Sequence, residues 1–338
     1  MKRLAAMLLA TLLILSLYAS VSVVPQTRER TVTQSKNEKI DTVKVDVDLI
    51  VLDALVMQKK TARIIGNLKR DDFVLTEDGV RQEITHFGQD TFPLSVLLLV
   101  DRGGCMDPFG EKVRAATLAA LSRLKPQDEV ALMAYHNTVE LVQDFVHDHS
   151  KIEEALNRMP PPDEEANHCL NQAFFDAARY MVQAGNPVGR RVIIVITGVT
   201  GNFDCEGPSS KEAARRIYES GSVVCGLIPS TPEQRMENGV IGMGARIGSF
   251  FRLPTISINK LAEETGGEVL SDKPEVLDHA FNTLIDHLRT RYQLGFVSSN
   301  KKRDGSTRKL KLEMTPGAKK SQGELVVKTR RTYIAPRS

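Results

Sequence analysis

The 338 residues predict an α/β fold: a doubly wound, mostly parallel sheet between helical layers, flanked by β segments that form a smaller β-sandwich-like unit. Three observations carry this expectation. Through the middle of the chain, apolar runs alternate with stretches of helical period, the grammar of repeated βα units. Those runs are apolar at nearly every position, as parallel strands covered on both faces must be. On either side of that region the pattern returns to simple alternation around polar turns, with no helical period.

The chain opens "MKRLAAMLLATLLILSLYASVSVV": a basic start at Lys2 and Arg3, an apolar run from Met7 to Leu17, then small residues Ser20 and Ser22. This is the pattern of a secretory signal peptide cleaved near Ser22, over residues 1–22. Residues 23–41 are polar and without period, a linker. In "TVKVDVDLIVLDALVM", Val43, Val45, Val47, Leu49 and Val51 alternate on one face of a half-buried strand. "DDFVLTEDGVRQEITHF" holds two short strands around an Asp-Gly turn. Residues 42–90 thus form an N-terminal β segment.

From 91 to 290 the α/β alternation runs. "LSVLLLVD" (94–101), "EVALMAYH" (129–136), "RRVIIVITG" (190–198) and "SVVCGLIP" (222–229) are strands, and "TVELVQDF" (138–145) is an antiparallel neighbour. Helices fall on 111–124, "KIEEALNRM", "LNQAFFDAARYMVQAG", "SSKEAARRIYESG" with its N-cap serine and closing glycine, and "SINKLAEETGG". A short edge strand "EVL" and a final helix with Val276, Leu277, Ala280, Phe281, Leu284, Ile285 and Leu288 in one stripe complete the domain. In 291–338, "YQLGFV", "RKLKLEMT" and "GELVVKTRRTYIA" read as three strands. The two β segments are each too small to close a core and are expected to pack on one another.

A hydrophobic content of 41% allows substantial cores, and a net charge of +3 points to no nucleic acid. Lys301–Ser338 holds twelve Lys/Arg against three Asp/Glu, an excess of +9 that reads as the solvated faces of strands. After signal-peptide removal, no membrane span is expected. The cysteines are Cys105, Cys169, Cys205 and Cys225, without any C-x-x-C pair; in an exported chain such an even set favours disulfides.

The first strand of the α/β region delivers Asp101 to a loop, "LLLVDRGGCM", and this order of elements resembles the von Willebrand factor type A domain. In that family a D-x-S-x-S loop, a Thr from a second loop and an Asp after a later strand bind Mg²⁺, and a partner's carboxylate completes the coordination. Carried over residue by residue, the first Asp is Asp101. The serines fall on Gly103 and Cys105, the Thr on Gln172 and the last Asp on Gly198. One carboxylate with a soft thiol and two glycines does not hold Mg²⁺, which needs hard oxygen donors in near-octahedral geometry. No cofactor is therefore expected. The loops expected at this pole also carry Cys105, Cys169 and Cys205, with Cys169–Cys205 the favoured disulfide and Cys225 a buried thiol. The sharper alternative is a zinc or hydrolytic cluster of Asp101, Cys105, His168, Cys169 and Cys205. Phe250, Phe251 and Leu253, in a glycine-rich connection, are a candidate partner loop, against the plainer reading that the loop covers its own domain.

The motifs "DFVLTEDGVRQEITHF", "LAEETGGE" and "RTRYQLGFVSSN…DGSTRKLKLEM…TRRTYIAP" resemble the VWFA-related proteins abundant in Acidobacteria. The resemblance implies export and a non-enzymatic binding role toward a protein or cell-envelope partner, in the periplasm or outside the cell. A purely architectural subunit is a further alternative.

Overall fold

The computed structural model describes residues 49–89, 92–104, 106, 110–159, 162–163, 166–186, 189–198, 205–229 and 256–337, all within one unit, Val47–Ser338. At its centre is a six-stranded sheet made by β5 (Leu94–Asp101), β6 (Glu129–Tyr135), β7 (Val139–Val146), β8 (Arg190–Ile196), β9 (Val223–Pro229) and β10 (Val269–Asp272). The strand order is β10-β9-β8-β5-β6-β7, parallel except for β7. Every residue of β5 is buried because the strand divides its side chains between two cores. Leu94, Val96, Leu98 and Val100 face one layer, with α1 (Gly110–Leu121), α2 (Ser150–Arg158) and α6 (Leu277–Arg289). Leu97 and Leu99 face the other, with α3 (Leu170–Met181), α4 (Ser210–Ser220) and α5 (Ile258–Thr265). Each fully buried Leu or Ile contributes about 1.5–3 kcal/mol, so this apolar run drives formation of the sheet. α4 is bounded as its sequence demands: Ser209 and Glu212 form a capping box, and Gly221 closes the helix in the left-handed conformation.

Two four-stranded antiparallel sheets complete the molecule. One has the order β13-β1-β11-β4, from β13 (Leu325–Thr329), β1 (Leu49–Gln58), β11 (Tyr292–Val297) and β4 (Ile84–Gly88). The other is β14-β12-β2-β3, from β14 (Thr332–Ile334), β12 (Thr307–Met314), β2 (Phe73–Glu77) and β3 (Val80–Gln82). Each sheet mixes strands from both sides of the central region: β1 pairs with β11 and β13, and β2 with β12. They enclose one core, including Leu52, Val56, Phe73, Tyr292, Leu312 and Tyr333. The β2–β3 turn has φ 46° at Asp78 and 86° at Gly79, the two positive values an Asp-Gly hairpin needs.

Four expectations change in detail. In β1 the core side chains are Leu52, Ala54 and Val56, whereas Leu49, on the face given by the alternation, is 51% exposed. The segment "GELVVKTRRTYIA" is two strands in different sheets, because at Arg330 and Arg331 the chain turns to bond α5: Arg331 N–H donates to Glu264 O, and Arg330 bridges Thr265. A short helix, α7 (Pro316–Gln322), occupies the preceding connection, started by Thr315 as N-cap and Pro316 in the first turn. Val276 is 42% exposed, since α6 begins only at Leu277 and Val276 lies before its apolar stripe.

At the amino ends of the central strands, the C-termini of α4, α5 and α6 gather, as βα alternation requires, and present unsatisfied carbonyls. Arginines meet them. Arg190 Nη1 donates to Leu288 O at 2.6 Å and Arg191 Nη1 to Ser220 O at 3.2 Å. Arg291 bonds Gly266 O at 2.8 Å and His287 O at 3.2 Å, and Arg330 Nη2 reaches Gly221 O at 3.0 Å. Guanidinium groups here complement the negative ends of the helix dipoles. Arg190 Nε also pairs with Asp53 of β1 at 2.9 Å, and Lys328 of β13 with Glu268 at 2.5 Å. The sandwich is therefore joined to the α/β layer through charge and helix ends.

Candidate functional site at the carboxyl end of the sheet

Asp101 is the last residue of β5 and is 1% exposed. A buried carboxylate needs hydrogen bonds for its oxygens, and three groups supply them. Gly103 N–H donates to Oδ1 at 2.9 Å, and Thr197 Oγ1 donates to Oδ2 at 2.6 Å. His168 Nδ1 lies 2.9 Å from both oxygens. An ionised carboxylate only accepts, so Nδ1 carries the proton in this bond. One backbone N–H, one hydroxyl and one imidazole thus meet the carboxylate.

Position 103 explains how the imidazole fits. A Cβ placed on Gly103 would stand 2.1 Å from His168 Cε1 and 2.4 Å from Nδ1. Real atoms cannot approach so closely, so any side chain at 103 and the present place of His168 exclude each other. The absence of a side chain at Gly103 thus makes room for the imidazole.

Neighbouring loops are held by local bonds. Asp163 N–H donates to Arg102 O, Cys169 N–H to His136 O, and Asn167 N–H to Asn137 Oδ1. Cys169, at the start of α3, is joined to Cys205 in the loop after β8, with Cα atoms 5.4 Å apart. Cys225 is a buried free thiol, and burial pushes its pKa up to about 11, which leaves it protonated and unreactive. Beside Asp101 lies a cavity of about 230 Å³ whose walls include Arg102, Met106, Val113 and Arg114.

Of the remaining candidates, those among the described residues do not converge on Asp101. Gln172 donates from Nε2 to Asp176 at 2.6 Å, and its Oε1 lies against Gly207. Gly198 has no side chain to offer. Cys105, Phe250, Phe251 and Leu253 lie outside the described residues, as do the N-terminal signal and linker. Cys169 and Cys205, members of the alternative zinc cluster, spend their sulfurs on one another, and among the described residues no group of three His, Cys, Asp or Glu is arranged to hold a metal ion. Among the described residues the donors at Asp101 do not fit Mg²⁺: one carboxylate, already engaged by three hydrogen-bond donors, beside a glycine with no room for an oxygen-bearing side chain. Sequence reasoning missed Thr197; the available signal was a hydroxyl at the end of an apolar strand, one residue before the position compared with the family's final Asp. Of the basic C-terminal stretch, Arg308, Lys311, Lys328 and Arg331 are in ion pairs with Asp304, Glu313, Glu268 and Glu263. Among the described residues no helix is long and apolar enough to cross a membrane.

No curated protein matches the chain. Solved structures similar to it include an aerotolerance-related membrane protein from Bacteroides fragilis, at 16% identity, covering 57% of this chain and 98% of that one, with a TM-score of 0.40. Von Willebrand factor type A from Catenulispora acidiphila is 12% identical over 81% of this chain and 75% of its own, with a TM-score of 0.44. Proximal thread matrix protein 1 from the mussel byssus is 11% identical over 59% of this chain and 49% of its own, with a TM-score of 0.43. Residues 96–201, which include Asp101, match the family model of the von Willebrand factor type A domain.

Proposed function

We propose that this chain is an exported, non-enzymatic binding protein that engages a protein or cell-envelope partner without a metal ion. The observation that carries the reading is the hydrogen-bonded set of His168, Thr197 and Gly103 around the buried Asp101 carboxylate. A domain of this type engages other proteins through a metal ion at this pole, and here the Asp101 carboxylate is met by the protein's own donors. The match of residues 96–201 to the von Willebrand factor type A domain supports an interaction role. The apolar opening and the flanking motifs resembling the Acidobacterial VWFA-related set support export.

Calorimetric titration of the purified protein with MgCl₂ and MnCl₂ tests the metal-independent reading. The expected result is no saturable heat and an unchanged Tm. Stoichiometric Mg²⁺ binding that is abolished in Asp101→Asn would overturn it. Mass spectrometry of the native protein, with a mature N-terminus expected just after Ser22, checks export.

A further inference from the structure

At the opposite end of the sheet a cleft of about 570 Å³ opens between the sandwich and the α/β layer. One wall is the outer face of the β1 sheet, with Leu49, Val51 and Asp53; the other carries Arg190, Arg191 and Arg330. Two features mark it as more than a packing gap. The first is its charge. Three guanidinium groups line it against the single carboxylate of Asp53, and the carbonyls of Ser220 and Gly221 engage only one donor atom each of Arg191 and Arg330. An arginine has five N–H donors in a planar fork, so much of that capacity is unspent. Burial also pulls the Arg330 guanidinium below its ordinary pKa, a cost that an incoming anion would relieve.

The second feature is a pair of unmet polar atoms. Arg190 is 5% exposed and engages Asp53 through Nε and Leu288 O through Nη1, yet its Nη2 has no hydrogen-bond partner among the described residues. Asp53 Oδ1 likewise has none. Orphaned buried donors are rare because each costs free energy. Here Arg190, which lines the cleft, keeps one donor that the described residues leave unmet. The apolar face of β1 is the third element. Leu49 and Val51 continue the alternation that sequence reading assigned to a core, but they line this cleft and Leu49 remains exposed.

From this geometry we infer that the cleft binds a small organic oxyanion, a carboxylate or phosphate monoester, with its charged group on the arginines and an apolar body against Leu49 and Val51. Clefts between packed layers, apolar with a few convergent polar groups, are where such ligands bind, and the arginine fork matches either oxyanion. The site is separate from the pole of Asp101 and does not depend on its role.

Calorimetry and thermal shift with octanoate, octyl phosphate and uncharged octanol test the inference on the full-length mature protein. At least one of the two anions is expected to bind saturably and raise Tm, with octanol much weaker. Which anion binds tighter identifies the headgroup class. Arg191→Gln and Val51→Glu should each weaken that binding by about tenfold or more, one by removing a donor and one by placing a like charge in the cleft. Val51→Glu alters a half-buried side chain away from the helix ends, so it remains informative if Arg191→Gln folds poorly. Anions binding no tighter than octanol, or both variants binding as wild type does, would overturn the proposal. So would a crystal soaked in octyl phosphate that shows no phosphate group at Arg190, Arg191 or Arg330.

Discussion

The two ends of the central sheet solve opposite electrostatic problems. At the carboxyl end, where helix N-termini gather, the chain keeps an anion, Asp101, and meets it with a backbone N–H, a hydroxyl and an imidazole. At the amino end, where helix C-termini gather, it keeps cations, and Arg190, Arg191, Arg291 and Arg330 reach the terminal carbonyls of α4, α5 and α6. At the first end the Cys169–Cys205 disulfide ties the start of α3 to the loop after β8. The second is joined to the sandwich, through Asp53 and Lys328. The field at the carboxyl end of the sheet favours negative charge, and the three donors satisfy lone pairs of the Asp101 carboxylate.

The largest expected effect breaks the amino end. Arg190→Ala leaves the carboxylate of Asp53 mostly buried without its cation and orphans Leu288 O, a loss of about 3–5 kcal/mol. In an Asp53→Ala background the same change should cost markedly less, and denaturant unfolding of the four proteins measures the difference. Equal costs in both backgrounds would mean that the Arg190–Asp53 pair does not join the layers. Next comes the carboxyl end. The Cys169–Cys205 bond closes a loop of sequence separation 36, so Cys169→Ser/Cys205→Ser should lose ~3–4 kcal/mol, chiefly through a less restricted unfolded chain. A loss much below 1 kcal/mol would show that hydrogen bonds alone set the stability of that pole.

This asymmetry was only partly legible in the sequence. The buried strands were plain because a strand covered on both faces is apolar at nearly every position, as in 94–101, where only Ser95 and Asp101 are polar. The ends of α4 were plain because Ser209, Glu212 and Gly221 act through neighbours three residues or fewer away. The disulfide was within reach once the loops were placed at one pole. The His168–Asp101 bond was not, because it joins residues 67 apart and depends on a missing side chain at Gly103. Likewise nothing local in "GELVVKTRRTYIA" tells that its two halves join different sheets; the break is imposed by the bond from Arg331 to the end of α5. Alternation in β1 revealed a strand but not which face met the sandwich core, since Asp53 has its partner in Arg190, far along the chain.

Acid titration sharpens the amino end further. Burial alone would raise the pKa of Glu268, but hydrogen bonds and charge from His287 and Lys328 outweigh it and hold the carboxyl at about 2, against an ordinary value of 4.5. A folded pKa below the unfolded one means the ionised carboxylate stabilises the native state. That contribution is complete above pH 4.5 and is lost as pH falls toward 2, for a total of about 3 kcal/mol. Lys328→Met should flatten the stability–pH curve between those values and leave its shape above pH 5 unchanged. An equally steep acid loss in the variant would assign the effect to other carboxylates.

The smallest change addresses the pole itself. Gly103→Ala adds one methyl group, and Gly103 is not among the glycines of positive φ, so alanine meets no backbone strain. The cost must come from contact, because the new Cβ would stand 2.1 Å from His168 Cε1 and the ring would have to leave the Asp101 carboxylate. Losing that bond while crowding the loop should cost about 1–3 kcal/mol. In His168→Ala the obstructing ring is absent, and the same methyl should be nearly neutral, a coupling of 1 kcal/mol or more by double-mutant cycle. If the two substitutions instead prove additive, the imidazole does not rest over Gly103 in solution. The carboxylate would then have to be satisfied from elsewhere, and a cation would again be the natural candidate.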